Sequence, residues 1–344
     1  MTKTDPRPRR EGPRVLFRVA AGPRIGSGHL IRATRLAALT GIDSVFSVRG
    51  VVSALRLPGR LARVTRLRRP ADAIARERPS LVVVDDPSAT HAAAWVAAAR
   101  ASGCPVAAFA DSGIGARDGD VLVDGSVAPV RRRLNGGSFL AGPEYAVVDP
   151  AVERAARLEA TRPRVFISLG GGVRTVYAAR LAASLVAAWP GLRVVVAGGF
   201  VASCAPAHPD SVTWLGPQRS LVPWLAPATV AIVAGGITLY EACALGVPTV
   251  AVPVVDGQRA AVEAMAARGA VWRTAVEGAR LPACPDVLPL AFELLRSGEA
   301  RERLRARAQS VVDGGGATRV AHVLQQLGGL PVSNHAERSR NEAA

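Results

Sequence analysis

Apolar residues along the chain fall into two alternating patterns. Short uninterrupted runs, among them 81–84 (LVVV), 230–233 (VAIV) and 249–252 (TVAV), mark strands buried on both faces. Between them lie longer segments with apolar residues three and four positions apart, as at Leu30, Ala33, Leu36, Ala37 and Leu39, the spacing of one helix face. The pattern predicts strands at 14–20, 44–48, 81–84, 105–109 and 121–123, with helices at 29–39 and 90–102. After a helical stretch at 151–160 and the pair Arg162-Pro163 the rhythm restarts. Strands at 164–169, 192–197, 212–214, 230–233 and 249–252 alternate there with helices at 175–189, 238–245, 258–268, 285–297 and 300–308, and the segment 313–319 begins a last helix.

Repeated β-α alternation defines a parallel, doubly wound sheet, and two rounds of it define an α/β chain of two Rossmann-like domains. The expected division is a tail at 1–12, an N-terminal domain at 13–149, a linker at 150–163, a C-terminal domain at 164–328 and a tail at 329–344. A length of 344 residues, 49% of them hydrophobic, is ample for two cores.

The formal charge of +16 raises the question of nucleic acid. Lys3 is the only lysine, however, and the arginines are spread over the whole chain. Aromatic residues, at 4%, leave few platforms on which bases could stack. The charge better suits an anionic membrane surface or an acidic substrate than a nucleic acid. No apolar run reaches the roughly 18 residues of a transmembrane helix, and residues 1–14 lack a signal-peptide core, so a cytoplasmic protein is expected. Cys104, Cys204, Cys243 and Cys284 form no CxxC pair and suggest neither a disulfide framework nor a structural zinc site.

Candidate chemistry gathers at strand ends. The run 230–233 stops at Gly235-Gly236, and Ile237-Thr238 opens a helix that Gly246 and Pro248 close. Glycines at such a turn let backbone N–H groups approach a ligand, and the helix start favours an anion. Glu241 lies one turn further on, on the side of Thr238, where a carboxylate could accept from ribose hydroxyls. Gln258 follows the next strand at the same carboxyl edge, where open α/β sheets bind ligands. A second glycine turn, Gly170-Gly171-Gly172, ends the strand at 164–169.

In the N-terminal half the loop at 21–28 carries Gly26 and Gly28 and delivers His29 to a helix start. The helix dipole disfavours the imidazolium there, which leaves a neutral ring able to act as a base. Arg32, one turn later, could meet a substrate phosphate or pair with a carboxylate. Asp85 and Asp111 stand at strand ends on the same edge. Two carboxylates alone do not make a metal site.

These motifs together resemble the PseG/SpsG group of UDP-sugar hydrolases and transferases, and the GT-B glycosyltransferases related to the lipid II-forming N-acetylglucosaminyl transferase. The resemblance rests on Gly26-Ser27-Gly28-His29 with Arg32, on Gly142-Pro143-Glu144-Tyr145-Ala146, on Gly235-Gly236-Ile237-Thr238-Leu239-Tyr240-Glu241 with Gln258, and on Asp313-Gly314-Gly315-Gly316 with Arg319. It spans residues 14–327 and implies a GT-B fold with a cleft between the domains. It further implies a nucleotide-sugar donor, UDP-linked by the family, with Gly235, Gly236 and Thr238 on the diphosphate, Glu241 on the ribose, Gln258 on the sugar and His29 as general base.

No cofactor and no essential metal are expected, since GT-B enzymes commonly stabilise the departing diphosphate with helix dipoles and basic groups. The expected partners are therefore a nucleotide-sugar donor and a small-molecule or glycan acceptor. The chain departs from the hydrolases at Ala20, where an aspartate is usual, near Asp124, where an asparagine is usual, and at Gly257, where another asparagine is usual. Glycosyl transfer is accordingly the first expectation. Hydrolysis of a UDP-2,4-diacetamido sugar, non-catalytic nucleotide-sugar binding and 2-epimerisation are the alternatives.

Overall fold

A computed structural model describes residues 12–22, 25–50, 62–134, 136–155, 162–170, 174–198, 210–274 and 284–331. Most of the two expected tails, and Gly171, lie outside the described residues.

The first sheet contains β1 (Arg14–Ala21), β2 (Asp43–Gly50), β3 (Ala62–Val64), β4 (Leu81–Asp85), β5 (Val106–Asp111), β6 (Ile114–Gly115), β7 (Val121–Asp124) and β8 (Ser138–Ala141). Their order is β3-β2-β1-β4-β5-β7-β8, every pairing on that path is parallel, and β6 folds back antiparallel on β5. The second sheet contains β9 (Arg164–Ser168), β10 (Arg193–Ala197), β11 (Val212–Leu215), β12 (Val230–Ala234), β13 (Thr249–Val252) and β14 (Trp272–Arg273), all parallel in the order β11-β10-β9-β12-β13-β14. Both sheets reverse direction at their first strand, which puts a crevice at the carboxyl ends of β1 and β4 and of β9 and β12. The central strands are mostly apolar because helices cover both faces; every residue of β4 and β12 is buried, Asp85 at the end of β4 included.

The helices are α1 (Gly28–Thr40), α2 (Pro70–Glu77), α3 (Ala89–Ala101), α4 (Ala151–Arg154), α5 (Arg174–Ala188), α6 (Val222–Leu225), α7 (Ile237–Ala244), α8 (Arg259–Ala267), α9 (Cys284–Arg296), α10 (Gly298–Val311) and α11 (Gly316–Leu327). On the first sheet α1 packs on one face, while α2 and α3 pack on the other. Of the helix expected at 151–160, α4 covers Ala151–Arg154 and Ala155 is extended, while residues 156–160 lie outside the described residues.

The last helix departs from the expected division. α11 follows the second domain in sequence but packs on the first, with Ala317, Val320 and Leu324 buried beside Phe17, Leu30, Leu36 and Val83. The crossing is tight: a Cβ on Gly316 would run into the Ala146 carbonyl. Residues 329–331 do not begin a frayed tail either, since Leu330 is buried in that same core and its N–H donates to Gln325 O at 2.8 Å.

Candidate active site

The carboxyl edges of the two sheets face each other across a cleft of about 670 Å³. The loop after β1 and the start of α1 form one wall, bringing Gly26, Gly28, His29, Arg32 and Arg35 to it. The opposite wall carries Gly170, Gly235, Gly236, Ile237, Thr238, Glu241 and Gln258. Every residue expected to serve as base or donor contact, among the described residues, therefore lines one cavity, and Asp85 lies buried behind it.

The first wall is shaped by its glycine loop. Gly26 has φ +89° and exchanges backbone hydrogen bonds with Gly22 (2.7 and 3.0 Å), a conformation side chains rarely adopt. The loop turns straight into α1, which places His29 in the first helical turn.

His29 Nδ1 lies 2.8 Å from Asp85 Oδ1 at the end of β4. Arg32 closes the group: its Nε and Nη2 donate to Asp85 at 2.7 and 2.6 Å, and its Nη1 and Nη2 donate to Asp111 at 2.7 and 2.9 Å. The Phe109 ring lies 4.8 Å from the guanidinium carbon. Arg32 thus pairs with carboxylates, one of the two kinds of partner weighed for it. Ala20, at the end of β1, is fully buried, and the carboxylate beside His29 comes from the neighbouring strand.

This pairing reverses the expected electrostatics of His29. Burial works against the imidazolium, but the Asp85 charge and hydrogen bond outweigh it, and the ring's pKa is raised above its ordinary value. The helix dipole alone predicted the opposite sign; an ion pair at 2.8 Å dominates it. Burial would likewise raise the Asp85 carboxyl, yet Arg32 and His29 hold it well below the usual carboxylate range. His29, Asp85 and Asp111 each offer a ligand atom within 4.8 Å of the others. Arg32 sits between the two carboxylates and donates to both.

On the second wall, Gly236 caps α7 with extended backbone (φ −97°). A Cβ there would meet only Gln258 Nε2, at 3.8 Å. At Gly235 it would strike Val262 Cγ2 at 2.7 Å and Gln258 Cβ at 2.8 Å. The first glycine thus serves the packing of α8, and the second leaves the backbone open to a ligand. Gln258 is pinned from behind, its Oε1 accepting from Val254 N at 3.1 Å.

Glu241 differs from its expected setting. It is 1% exposed, and its Oε1 lies 2.6 Å from Nη2 of Arg35 on α1. The contact is ionic rather than a directed hydrogen bond, for Glu241 Oε1 and Arg35 Nε both lack a hydrogen-bond partner. A second bond between the walls runs from Val127 N–H to Tyr240 Oη at 3.0 Å.

Sequence reasoning missed Arg35, although it stands one turn beyond Arg32 on the same helix face. It also missed Arg174, beside the glycine turn after β9, which lines the cleft.

Two facing parallel-sheet domains with the ligand site between their carboxyl edges constitute the GT-B fold. No family model matches the chain. It is 26% identical over 227 residues to the spore coat polysaccharide biosynthesis protein SpsG of Bacillus subtilis, a match that covers 60% of this chain and 65% of that protein's length. Among solved structures, MurG of Acinetobacter baumannii superposes with a TM-score of 0.59 at 16% identity, over 91% of this chain and all of that one. UDP-GlcNAc 2-epimerase of Neisseria meningitidis, bound to UDP-GlcNAc, gives 0.58 at 12% identity with the same coverage. The resemblance read from the motifs is thus to SpsG in sequence and to the GT-B enzymes in fold. No helix among the described residues is long and apolar enough to cross a membrane.

Proposed function

We propose that the protein transfers a sugar from a nucleoside diphosphate donor to an acceptor hydroxyl, with His29 as general base. The observation that carries this reading is the Asp85–His29 pair at 2.8 Å on the wall opposite the Gly235–Gly236 turn. With Nδ1 taken by an ionised Asp85, Nε2 is the nitrogen that receives the acceptor proton. As the acceptor oxygen attacks the anomeric carbon, the bond to the diphosphate breaks and its electron pair leaves with the phosphate oxygen. The start of α7 and the cleft-lining Arg174 meet the charge that develops there.

Sequence likeness to SpsG supports polysaccharide biosynthesis as the setting. The UDP-GlcNAc held by a protein of the same fold supports a UDP-linked donor. The ribose is assigned to Glu241, whose Oε1 is open to a hydroxyl donor once Arg35 yields.

Water in place of the acceptor would make the same group of residues a hydrolase. Proton and phosphorus NMR of the protein with UDP-, GDP- and dTDP-sugars, with no acceptor added, separates the two. Donor binding without turnover is the result expected of a transferase. Release of free sugar and nucleoside diphosphate would establish the hydrolase instead, and absence of binding by every nucleotide sugar would overturn both.

A further inference from the structure

Glu241, assigned above to the ribose, has a rival for its carboxylate within the protein. Nη2 of Arg35 lies 2.6 Å from its Oε1, and the two residues stand on opposite walls of the cleft that both line, Arg35 on α1 and Glu241 on α7. A ribose hydroxyl approaching Oε1 therefore meets a guanidinium already in contact with that oxygen, and the contact it must displace is one that joins the two domains. Tyr240, beside Glu241, also reaches the first domain, its Oη accepting from Val127 N at 3.0 Å. The walls thus meet along α7.

Arg35 has a second seat on its own side of the cleft. The same Nη2 lies 3.6 Å from Asp149 Oδ2, and Nη1 donates to the carbonyl of Val147, a residue of the first domain's core, at 3.4 Å. Asp149 is itself fixed, its Oδ1 accepting from Ala151 N at 2.9 Å at the start of α4. The guanidinium can pass from Glu241 to Asp149 and keep an ionic partner. Glu241 has no such reserve on its own helix, for α7 carries no arginine, lysine or histidine. Its carboxylate, 1% exposed, would be left buried without a partner unless the group that displaces Arg35 donates to it. The hydroxyl pair of a ribose donates; a nucleotide stripped of those hydroxyls does not.

We propose that Arg35 and Glu241 form a latch that the donor itself opens: the ribose hydroxyls take over Glu241, Arg35 moves to Asp149, and the contact between the domains is released. The proposal rests on the nucleotide-sugar reading above. Competition of this kind lowers the apparent affinity for the donor by the fraction of molecules in which the latch is open. The test is calorimetric titration of the full chain with UDP and GDP, each beside its 2′,3′-dideoxy counterpart. Arg35→Met removes the competitor, and the ribose form is expected to bind this variant about tenfold tighter than the wild type, although the fold itself loses stability. Asp149→Asn keeps an acceptor for Ala151 N but takes away the charge that receives Arg35, and it is expected to weaken the same nucleotide about threefold. Lying outside the latch pair, it reads the competition even where Arg35→Met fails to fold. The dideoxy form is expected to respond to neither change. Unchanged or weakened binding of the ribose form in Arg35→Met, an equal gain by the dideoxy form, or unchanged binding in Asp149→Asn overturns the latch and leaves the nucleotide-sugar reading standing. Failure of every nucleotide to bind overturns both.

Discussion

Arg35 on α1 of the first domain contacts Glu241 on α7 of the second, Nη2 to Oε1 at 2.6 Å, across the cleft in which a donor would sit. The pair is nearly dry, with Glu241 1% exposed and the Arg35 side chain 11% exposed. Removing one partner of such a pair strands the other as a buried charge, at a cost of about 3 kcal/mol. Arg35→Ala is expected to lower stability by that amount in urea unfolding, and Arg35→Met combined with Glu241→Gln to recover most of it. An unchanged unfolding midpoint in Arg35→Ala would show that the contact does not hold the domains.

His29→Ala is expected to reduce turnover by about 10²–10⁴-fold, the ordinary contribution of a general base. Donor affinity, set on the opposite wall, is expected to stay the same. Full turnover in this variant, measured with the donor and acceptor of the wild-type reaction, would assign the base elsewhere.

The raised pKa of His29 fixes the direction of the pH profile. The base must be neutral to accept a proton, so kcat/KM is expected to climb with pH and to level off through an inflection above the ordinary 6.5 of a histidine. Asp85→Asn removes the charge that raises it. The inflection is then expected to move down, and the rate to fall about 100-fold as the ring loses its orientation. Stability has the opposite slope. A group whose folded pKa exceeds its unfolded one stabilises fully below the unfolded value, and that stabilisation is lost as pH rises through the folded value. Thermal midpoints of wild type and Asp85→Asn are therefore expected to differ most below pH 6.5 and to draw closer above the native inflection, where only the contribution of the Arg32–Asp85 pair remains.

Adjacent glycines on the donor wall are predicted to behave differently. Gly235→Ala forces a methyl against Val262 and Gln258 and is expected to cost about 1–3 kcal/mol of stability. Gly236→Ala meets only Gln258 Nε2 at 3.8 Å and is expected to leave the unfolding midpoint alone. Because its methyl would stand where a diphosphate approaches the backbone, donor affinity should fall about tenfold, roughly 1.4 kcal/mol. Unchanged donor affinity in Gly236→Ala would move the diphosphate to another turn.

Much of this arrangement was legible in the chain because it is local. The uninterrupted apolar runs became the central strands, and the glycine turns with His29, Gly235 and Gly236 came out on the edge their strand ends predicted. Pairings distant in sequence were not legible. Asp85 stands 56 residues from His29, and no spacing rule connects them until β1 and β4 lie side by side. Burial of Glu241 was hidden for the same reason, since Arg35 belongs to the other domain. The short edge strands β3, β8 and β14 carry too few apolar residues to stand out.

The return of α11 to the first domain means that the chain passes between the halves twice, once near residue 155 and once near residue 314. The N-terminal domain is consequently not a contiguous piece of the gene. A fragment ending at residue 155 would carry a raw apolar stripe where Ala317, Val320 and Leu324 belong, and it is expected to aggregate when expressed alone. A circularly permuted chain in which residues 314–331 precede residue 12 would restore the missing helix and give a separable half.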